Sequence, residues 1–331
     1  MPEIKKVIVT AMIGPENKEK LRAALAPAEV TFCMPYGPGS KEKIAEASRE
    51  VDVAIMNGDV EDCVLASPNL KWIHCCRAGV EKSASEELFD RGIILTSSSG
   101  RSAPALAEHA LMFMMALTYD LPGLHRAQAR HQWAAGREYF MRTGMYRKTV
   151  GIIGAGKTGL ELARLCKGFD MRVLGWRRTR TPEPNIDEMF GSRDGDDLKQ
   201  FLSGCDYVVL SIELNDSTWH MIGAGELAAM KESAYLINMG RGALIDEPAL
   251  IDALQSSRIA GAGLDTFETE PLPADSPFWD MANVIITPHI TPQLPDREER
   301  MLKFVFDNIR AYKEGGGFVN LVTRKSLLTR R

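Results

Sequence analysis

The stretch VGIIGAGKTGLELARL, residues 150–165, decides the fold. Its first four residues form an apolar run that predicts a buried strand, and LELARL has the apolar spacing of a helix. Between them, glycines at 154, 156 and 159 have the spacing G-x-G-x-x-G. The first glycine permits a tight turn, the second lets a pyrophosphate approach the backbone, and the third lets the helix pack closely on the strand. The stretch therefore predicts a dinucleotide-binding unit.

The pyrophosphate of such a ligand would face the amide groups at the helix N-terminus. We assign the whole turn to cofactor binding: Gly154, Ala155, Gly156, Lys157, Thr158 and Gly159. Lys157 and Thr158 are the polar candidates for a phosphate contact, although this lysine could also be an ordinary solvated side chain.

The second strand of the unit, in VLGWRRT at 173–179, ends in two arginines. A unit that binds NAD places a carboxylate at this position, about twenty residues after the glycines, to receive the ribose hydroxyls. Arg177 and Arg178 instead suit a 2′-phosphate, and Thr179 can add a hydroxyl. We therefore predict NADP(H) as the preferred cofactor. NAD(H) stays possible, because the arginines could simply solvate the basic loop RRTRTP.

Length and charge limit the other possibilities. The chain has 331 residues, 45% of them hydrophobic, and a formal net charge of −4. This length exceeds what one core usually serves, so two domains are expected. The charge balance gives no reason to expect nucleic acid or a membrane surface as a partner. The most apolar run, ALAEHALMFMMAL at 105–117, is too short to span a bilayer and predicts a buried helix.

Cysteine usage and the N-terminus indicate the compartment. The six cysteines lie in apolar or strand-like settings without metal-ligand spacing, so we expect a reducing environment and no metal site. The N-terminal MPEIKKVIVTAMI leads into a strand without a signal-peptide pattern. We therefore expect a cytoplasmic protein.

Apolar strand-like runs alternate with helical segments along the chain, which predicts parallel sheets with crossover helices. One series precedes residue 102 and a second begins at residue 149. The predicted fold class is α/β, with two Rossmann-like, doubly wound parallel-sheet domains and a cleft between them. We assign residues 102–294 to a dinucleotide-binding domain, and residues 1–101 with 295–331 to a discontinuous substrate-binding domain.

Three apolar strands are each followed by a reactive side chain: Arg241 in INMGRGALIDE, Glu270 in GAGLDTFETEPLP and His289 in NVIITPHI. Because the carboxyl ends of parallel strands meet at one edge of a sheet, we expect the three to converge. A histidine can donate a proton near neutral pH, a carboxylate can hold its tautomer, and an arginine can bind a substrate's oxygens. Each alone has an ordinary structural explanation, but the combination favours catalysis. Met239, beside Arg241, is assigned to the cofactor-binding set.

Together with the glycine turn, these motifs resemble the D-isomer-specific 2-hydroxyacid dehydrogenase family, from LKWIHCCRAGVE through ALAEHALMFMMAL to the terminal FVN. The resemblance implies an enzyme, usually a homodimer, that closes a cleft over a nicotinamide cofactor and a small 2-oxo acid. It implies His289 as the general acid and base, Arg241 as the arginine that orients the substrate, and Glu270 as the carboxylate paired with the histidine.

The resemblance also implies less specific contacts. Asp265 corresponds to an aspartate near the nicotinamide amide, and Thr218 to a threonine that contacts the cofactor. Backbone groups of Ala78, Gly79 and Val80 correspond to the loop that binds the substrate carboxylate. Each has a simpler alternative: a turn cap for Asp265, a helix cap for Thr218, and a glycine-containing turn for the loop.

Other positions depart from the family pattern, and they lie around the expected substrate site. Arg77 stands where the family often has a small residue, Glu81 replaces the usual Asp, and Glu213 stands where a proline is common. After His289 the chain reads TPQLPDREER instead of a turn of small residues. Arg77 and Arg101 could favour a substrate with an extra anionic group, or they could be ordinary surface arginines.

The sequence thus predicts an NADPH-preferring oxidoreductase, similar to glyoxylate and hydroxypyruvate reductases, that reduces a small 2-oxo acid to the D-2-hydroxy acid. His289 would donate the proton. Two alternatives stay open: an NAD-dependent D-2-hydroxyacid dehydrogenase, and a dinucleotide-sensing scaffold like the corepressors that resemble this family. Glyoxylate, hydroxypyruvate, and branched or aromatic 2-oxo acids are all compatible with the sequence.

Overall fold

The protein is described by a computed structural model that covers residues 3–133 and 137–329. The chain divides into two compact units: residues 1–102 with 294–331, and residues 103–293. Each unit is built on a sheet of mainly or wholly parallel strands with helices between them, so the predicted α/β fold class is confirmed.

The elements that precede residue 102 alternate between strand and helix. In chain order they are β1 (Lys6–Val9), α1 (Pro15–Leu25), β2 (Glu29–Phe32), α2 (Ser40–Ala47), β3 (Val53–Met56), α3 (Asp62–Leu65), β4 (Trp72–Cys75), α4 (Glu86–Asp90) and β5 (Ile94–Ser97). Strands β3 and β4 are buried along their whole length, because a parallel sheet has helices on both faces.

The second unit begins with a long buried helix. Its elements are α5 (Ala103–Thr118), α6 (Leu121–Ala129), α7 (Arg137–Phe140), β6 (Thr149–Ile153), α8 (Lys157–Lys167), β7 (Arg172–Arg177), β8 (Glu188–Gly191), α9 (Leu198–Ser203), β9 (Tyr207–Leu210), α10 (Ala224–Ala229), β10 (Tyr235–Asn238), α11 (Glu247–Gln255), β11 (Gly261–Leu264) and β12 (Val284–Ile286). The chain then returns to the first unit with α12 (Arg297–Glu314) and β13 (Leu321–Val322).

In the first unit the strand order is β13-β5-β4-β3-β1-β2, and β13 pairs antiparallel with β5 at one edge. Helix α12 belongs to the core of this unit. Its Tyr312 stacks on Trp72 of β4 with ring centroids 5.7 Å apart. The Glu298 carboxylate of α12 also accepts a hydrogen bond from the Gly14 amide at the start of α1. The C-terminal segment therefore stabilises the N-terminal part of this unit.

One buried histidine of the first unit has a structural role. His74 on β4 contacts the Thr96 hydroxyl through Nδ1 at 2.8 Å and the Ser98 hydroxyl through Nε2 at 2.9 Å. Burial lowers the pKa of His74 to about 3, so it is neutral at physiological pH and holds β4 to β5 through these hydroxyls.

In the second unit the strand order is β12-β11-β10-β9-β6-β7-β8, with all pairs parallel. The chain runs outward from β6 through β7 to β8 and then crosses to β9 on the other side of β6. Ligands of such sheets bind beyond the carboxyl ends of the strands at this point of reversal. The glycine turn follows β6 at this position.

Helix α5 packs closely on this sheet. A Cβ built on Gly263 of β11 would lie 2.6 Å from Cγ of Phe113, so only glycine lets the ring of Phe113 lie on the strand. Within the described residues, no helix has the length and apolar character needed to cross a membrane.

Candidate active site

A histidine and a glutamate pair at the carboxyl ends of β11 and β12. Nδ1 of His289 lies 2.7 Å from Oε2 of Glu270. The second carboxylate oxygen, Oε1, accepts a hydrogen bond from the Phe267 amide at 3.0 Å, so both oxygens of Glu270 are engaged. The His289 side chain is 45% exposed. Glu270 therefore holds the His289 ring through Nδ1, and Nε2 is the ring nitrogen that can contact a ligand.

Arg241 follows β10, and a buried asparagine shapes its loop. The Asn238 side chain accepts a hydrogen bond from the Gly240 amide at 3.0 Å and donates one to the Arg241 carbonyl at 2.8 Å. The Arg241 guanidinium donates to the Gly240 carbonyl at 2.8 Å. Asn238 is fully buried, so these two bonds hold the turn that carries Arg241. Asn238 was not predicted from the sequence, although a polar residue at the end of the apolar run AYLIN is a visible signal.

The loop of Arg241 and the loop of Glu270 are in contact through Gly242. A Cβ on Gly242 would lie 1.9 Å from the carbonyl carbon of Phe267 and 2.2 Å from the Glu268 amide nitrogen. Because β10, β11 and β12 are neighbours in one parallel sheet, their carboxyl ends bring these loops together. The structure thus places Arg241, Glu270 and His289 at one edge of the sheet.

Asp265 secures the segment on either side of His289. Its Oδ1 accepts a hydrogen bond from the Thr287 hydroxyl at 2.6 Å and one from the Ile290 amide at 3.1 Å. The carboxylate is only 2% exposed, so both bonds form in a desolvated setting. In the structure, Asp265 therefore positions the backbone that carries His289.

A second histidine continues this network. Nε2 of His109 on α5 lies 3.1 Å from the Thr287 hydroxyl, which already donates to Asp265, so Nε2 must donate. Nδ1 lies 3.3 Å from the Thr291 hydroxyl. Burial lowers the pKa of His109, and the Asp265 charge opposes this shift. Neither His109 nor Thr287 was singled out from the sequence, because their role depends on α5 packing beside β12.

The glycine turn has the geometry that a dinucleotide needs. Gly154 has φ +99°, and a Cβ there would lie 2.7 Å from the Ile212 amide nitrogen. A Cβ on Gly159 would lie 2.4 Å from the Gly154 carbonyl oxygen, so the third glycine lets α8 approach the turn. At Gly156 a Cβ would meet nothing within 4 Å, which leaves open space beside the N-terminus of α8. Ala155 is buried, Lys157 is exposed and Thr158 is half-buried.

The two arginines at the end of β7 have different surroundings. Nη1 of Arg177 lies 2.5 Å from Oε1 of Glu183, and both side chains are mostly buried. Arg178 is exposed. The Thr179 hydroxyl lies 3.2 Å from that of Thr181. Glu183 was not predicted as a partner of Arg177, because it lies six residues further on in the irregular segment that follows β7.

The remaining predicted residues fall into two groups. In the second unit, the Thr218 hydroxyl donates to the Glu213 carbonyl at 2.8 Å and accepts from the Asn215 amide at 2.9 Å, so it shapes its own loop. Met239 is buried at the end of β10. In the first unit, Ala78, Gly79 and Val80 follow β4, and Nε of Arg77 donates to the Gly79 carbonyl at 3.2 Å. Within the described ranges, no group of three acidic, histidine or cysteine side chains could hold a metal ion.

Comparison with known proteins identifies relatives of this chain. Residues 111–291 match the family model for the NAD binding domain of D-isomer specific 2-hydroxyacid dehydrogenases. A glyoxylate reductase of Korarchaeum cryptofilum is 33% identical, over 98% of this chain and 98% of its own length.

Two solved structures are also similar. A D-isomer specific 2-hydroxyacid dehydrogenase from Xanthobacter autotrophicus, in complex with NADPH and MES, gives a TM-score of 0.78 at 29% identity and covers 97% of this chain and 98% of its own. An NADPH-dependent glyoxylate/hydroxypyruvate reductase from Sinorhizobium meliloti was solved in complex with NADP and sulfate. It gives a TM-score of 0.77 at 25% identity, and the match covers 96% of this chain and 98% of its own.

The contact at Gly242 generates a stability prediction. The substitution Gly242→Ala would drive Cβ into backbone atoms of Phe267 and Glu268, which cannot rotate away. We expect it to lower the free energy of unfolding by about 2 kcal/mol or more, measured by urea denaturation. Gly204→Ala is the matched control, because its Cβ would meet only atoms at 3.5 Å and 3.7 Å. Equal losses in the two variants would contradict the close contact.

Proposed function

The chain belongs to the D-isomer specific 2-hydroxyacid dehydrogenase family, and from that premise we propose that it reduces a small 2-oxo acid to the D-2-hydroxy acid. The observation that carries this proposal is the pairing of His289 with Glu270, beside Arg241 at the edge of the sheet that also holds the glycine turn. A related protein is named for glyoxylate reduction, which places glyoxylate among the first substrates to test.

The reduction adds a hydride to the carbonyl carbon and a proton to the carbonyl oxygen. The nicotinamide dinucleotide, when bound, supplies the hydride, and the open glycine turn with the N-terminus of α8 would hold its pyrophosphate. His289 donates the proton from Nε2, while Glu270 accepts the hydrogen bond from Nδ1 and so fixes the orientation of the ring.

Arg241 is the substrate-binding residue of residues 103–293 in this proposal, since its guanidinium attracts the carboxylate and polarises the carbonyl of the 2-oxo acid. In the other unit, the backbone groups of Ala78, Gly79 and Val80 are assigned to substrate binding, a role carried over from the family. Residues 103–293 then act as the dinucleotide-binding domain and the remaining unit as the substrate-binding domain. Asp265 and Thr218 contribute mainly by shaping the loops of the cofactor site.

Replacing the proton donor tests this assignment. We expect His289→Asn to lower kcat for glyoxylate by about 10²- to 10⁴-fold, because general acid catalysis contributes this much, while the Kd for NADPH changes little. Steady-state kinetics and cofactor fluorescence titration measure the two quantities. His131→Asn is the control, since His131 is exposed and its φ of 54° is tolerated by asparagine. Comparable losses in kcat and cofactor affinity would argue against the role of His289.

We propose NADP(H) as the preferred cofactor, with Arg177, Arg178 and Thr179 binding the 2′-phosphate. Two related structures were solved with NADPH or NADP, which supports this choice. The Glu183 carboxylate on Arg177 competes with a 2′-phosphate for the same guanidinium and is itself an acceptor for a ribose hydroxyl. NAD(H) is therefore a second, weaker cofactor in this proposal, and Glu183 reduces the discrimination between the two.

Substitutions on each side of this ion pair separate the two effects. Arg177→Gln removes a charge-assisted contact of about 1.5–3 kcal/mol, so the Kd for NADPH should rise about tenfold to a hundredfold with little change for NADH. Glu183→Gln frees Arg177 and should lower the Kd for NADPH instead. Glu188→Gln is the control, because Glu188 pairs with Arg172 at the exposed start of β7. More efficient turnover of NADH than NADPH by the native enzyme would refute the proposed preference.

We propose that the enzyme is a cytoplasmic homodimer. The chain from 112 to 146 carries large apolar side chains that are exposed in the single chain: Met112, Met115, Tyr119, Leu121, Phe140, Met141 and Tyr146. A second copy would cover them, because a monomer rarely exposes so many large apolar residues in one stretch of chain.

Charge placed on this stretch tests the dimer. Sedimentation of the native enzyme should give twice the mass of one chain. The double substitution Met115→Glu and Tyr119→Glu should shift it to the mass of one chain, because two carboxylates would be desolvated in each half of the interface. Met34→Glu is the control, since Met34 is an exposed apolar residue of the other unit. A native monomer at micromolar concentration would contradict this part of the proposal.

A further inference from the structure

The first unit gathers arginines at the carboxyl edge of its sheet. Strands β4 and β5 are parallel neighbours, so their carboxyl ends lie side by side. Arg77 follows the end of β4 and Arg101 follows the end of β5. Helix α12 of the same unit begins with Arg297. The Ser98 hydroxyl, directly after β5, donates a hydrogen bond to the Met301 carbonyl of α12 at 3.4 Å, so the segment that carries Arg101 lies against the first turns of this helix. The Arg297 and Arg77 charges both act on Arg101.

Among the residues that the structure describes, two of these three arginines have no acidic partner. Arg77 forms an ion pair with Asp59 and donates to the Gly79 carbonyl. Arg101 and Arg297 are half-buried, and neither forms an ion pair or side-chain hydrogen bond within residues 3–133 and 137–329. The acidic groups near Arg297 are engaged elsewhere: Asp296 binds Arg300 at 2.7 Å, and Glu298 binds the Gly14 amide.

Arg101 stays charged in spite of this setting. Burial, together with the positive charges of Arg297 and Arg77, lowers its pKa to about 10. A pKa of about 10 still leaves the guanidinium protonated at neutral pH. Two half-buried cations that repel each other without an acidic partner cost stability, and this cost is relieved when an anion binds between them.

From this arrangement we propose that Arg101 and Arg297 bind a second anionic group of the substrate. The preferred substrate is then a 2-oxo acid that carries another carboxylate, or a phosphate, at the end remote from its 2-oxo group. This inference rests on the proposed function, because it takes the loop of Ala78, Gly79 and Val80 to bind the first carboxylate. Arg77 links the two parts, since it donates to Gly79 and lies within electrostatic reach of Arg101.

Pairs of substrates that differ only in the remote group test this inference. 2-Oxoglutarate differs from 2-oxopentanoate by a terminal carboxylate in place of a methyl group, and 3-phosphohydroxypyruvate differs from hydroxypyruvate by its phosphate. We expect the native enzyme to show the higher kcat/KM for the dianionic member of at least one pair. Which pair shows the larger ratio identifies the remote group as carboxylate or phosphate.

Variants of the two arginines then show which residues produce this preference, measured as the ratio of kcat/KM for the dianionic member to kcat/KM for the other member of a pair. Arg101→Gln and Arg297→Gln should each lower this ratio about tenfold or more, because each removes a charge-assisted contact made only to the remote group. Arg49→Gln is the control, since it removes the same charge from an exposed position of the same unit. It should leave both the activity and the ratio unchanged.

Thermal unfolding gives a readout that does not depend on turnover. Sulfate should raise the Tm of the native enzyme more than chloride does at equal ionic strength. This extra shift should be lost in Arg101→Gln and kept in Arg49→Gln. Arg101→Gln should also unfold at a higher temperature than the native enzyme in chloride, because it removes an unpaired, partly buried charge.

The outcomes separate the two proposals. If the native enzyme reduces 2-oxopentanoate or glyoxylate but shows no preference for dianionic substrates, the anion site is refuted and the proposed function stands. If it reduces no 2-oxo acid, the proposed function is refuted, and the sulfate-dependent Tm decides alone whether Arg101 and Arg297 bind an anion. An equal sulfate effect in the native enzyme and Arg101→Gln refutes the site in either case.

Discussion

The parallel pairing of β10, β11 and β12 is the constraint on which the candidate active site depends. Parallel neighbours end at the same edge of a sheet, so three chain segments far apart in sequence supply their loops at one place. Packing then refines this coarse placement. Gly242 lets the loop of Arg241 contact the backbone at Phe267, and Asp265 fixes the segment on both sides of His289. The pairing of His289 with Glu270 thus depends on buried polar groups that never need to touch a substrate.

Much of this could be predicted from the sequence because it rests on local patterns. The glycine turn after an apolar strand, the strand ends at Arg241, Glu270 and His289, and the buried helix predicted at 105–117 all follow from spacing and periodicity. Helix α5 (Ala103–Thr118) extends that range by two residues at its start and by one at its end. These features depend on residues close together in the chain, where the steric demands of turns and the periods of strands and helices are strong.

Other features depended on partners that only the folded chain reveals. Asn238 matters because its amide reaches two groups of the next turn, and His109 because α5 lies beside β12. Glu183 changes the interpretation of Arg177, because the guanidinium expected to bind a phosphate already forms an ion pair with a carboxylate. Arg101 and Arg297 gain significance because neither has an acidic partner in the part of the chain that the structure describes, which the sequence cannot show. Charges and buried polar groups are thus less predictable than the backbone that carries them, because their energies depend on burial and on three-dimensional neighbours.

The central claim is that a nicotinamide dinucleotide bound at this sheet edge supplies a hydride to one face of a 2-oxo acid, and that His289 supplies the proton. The most direct measurement is the product formed from 2-oxopentanoate with NADPH deuterated at the transferring position. The account predicts D-2-hydroxypentanoate with deuterium retained at carbon 2, seen by mass spectrometry and chiral chromatography. The L isomer, or a product whose carbon 2 carries hydrogen from solvent, would contradict it.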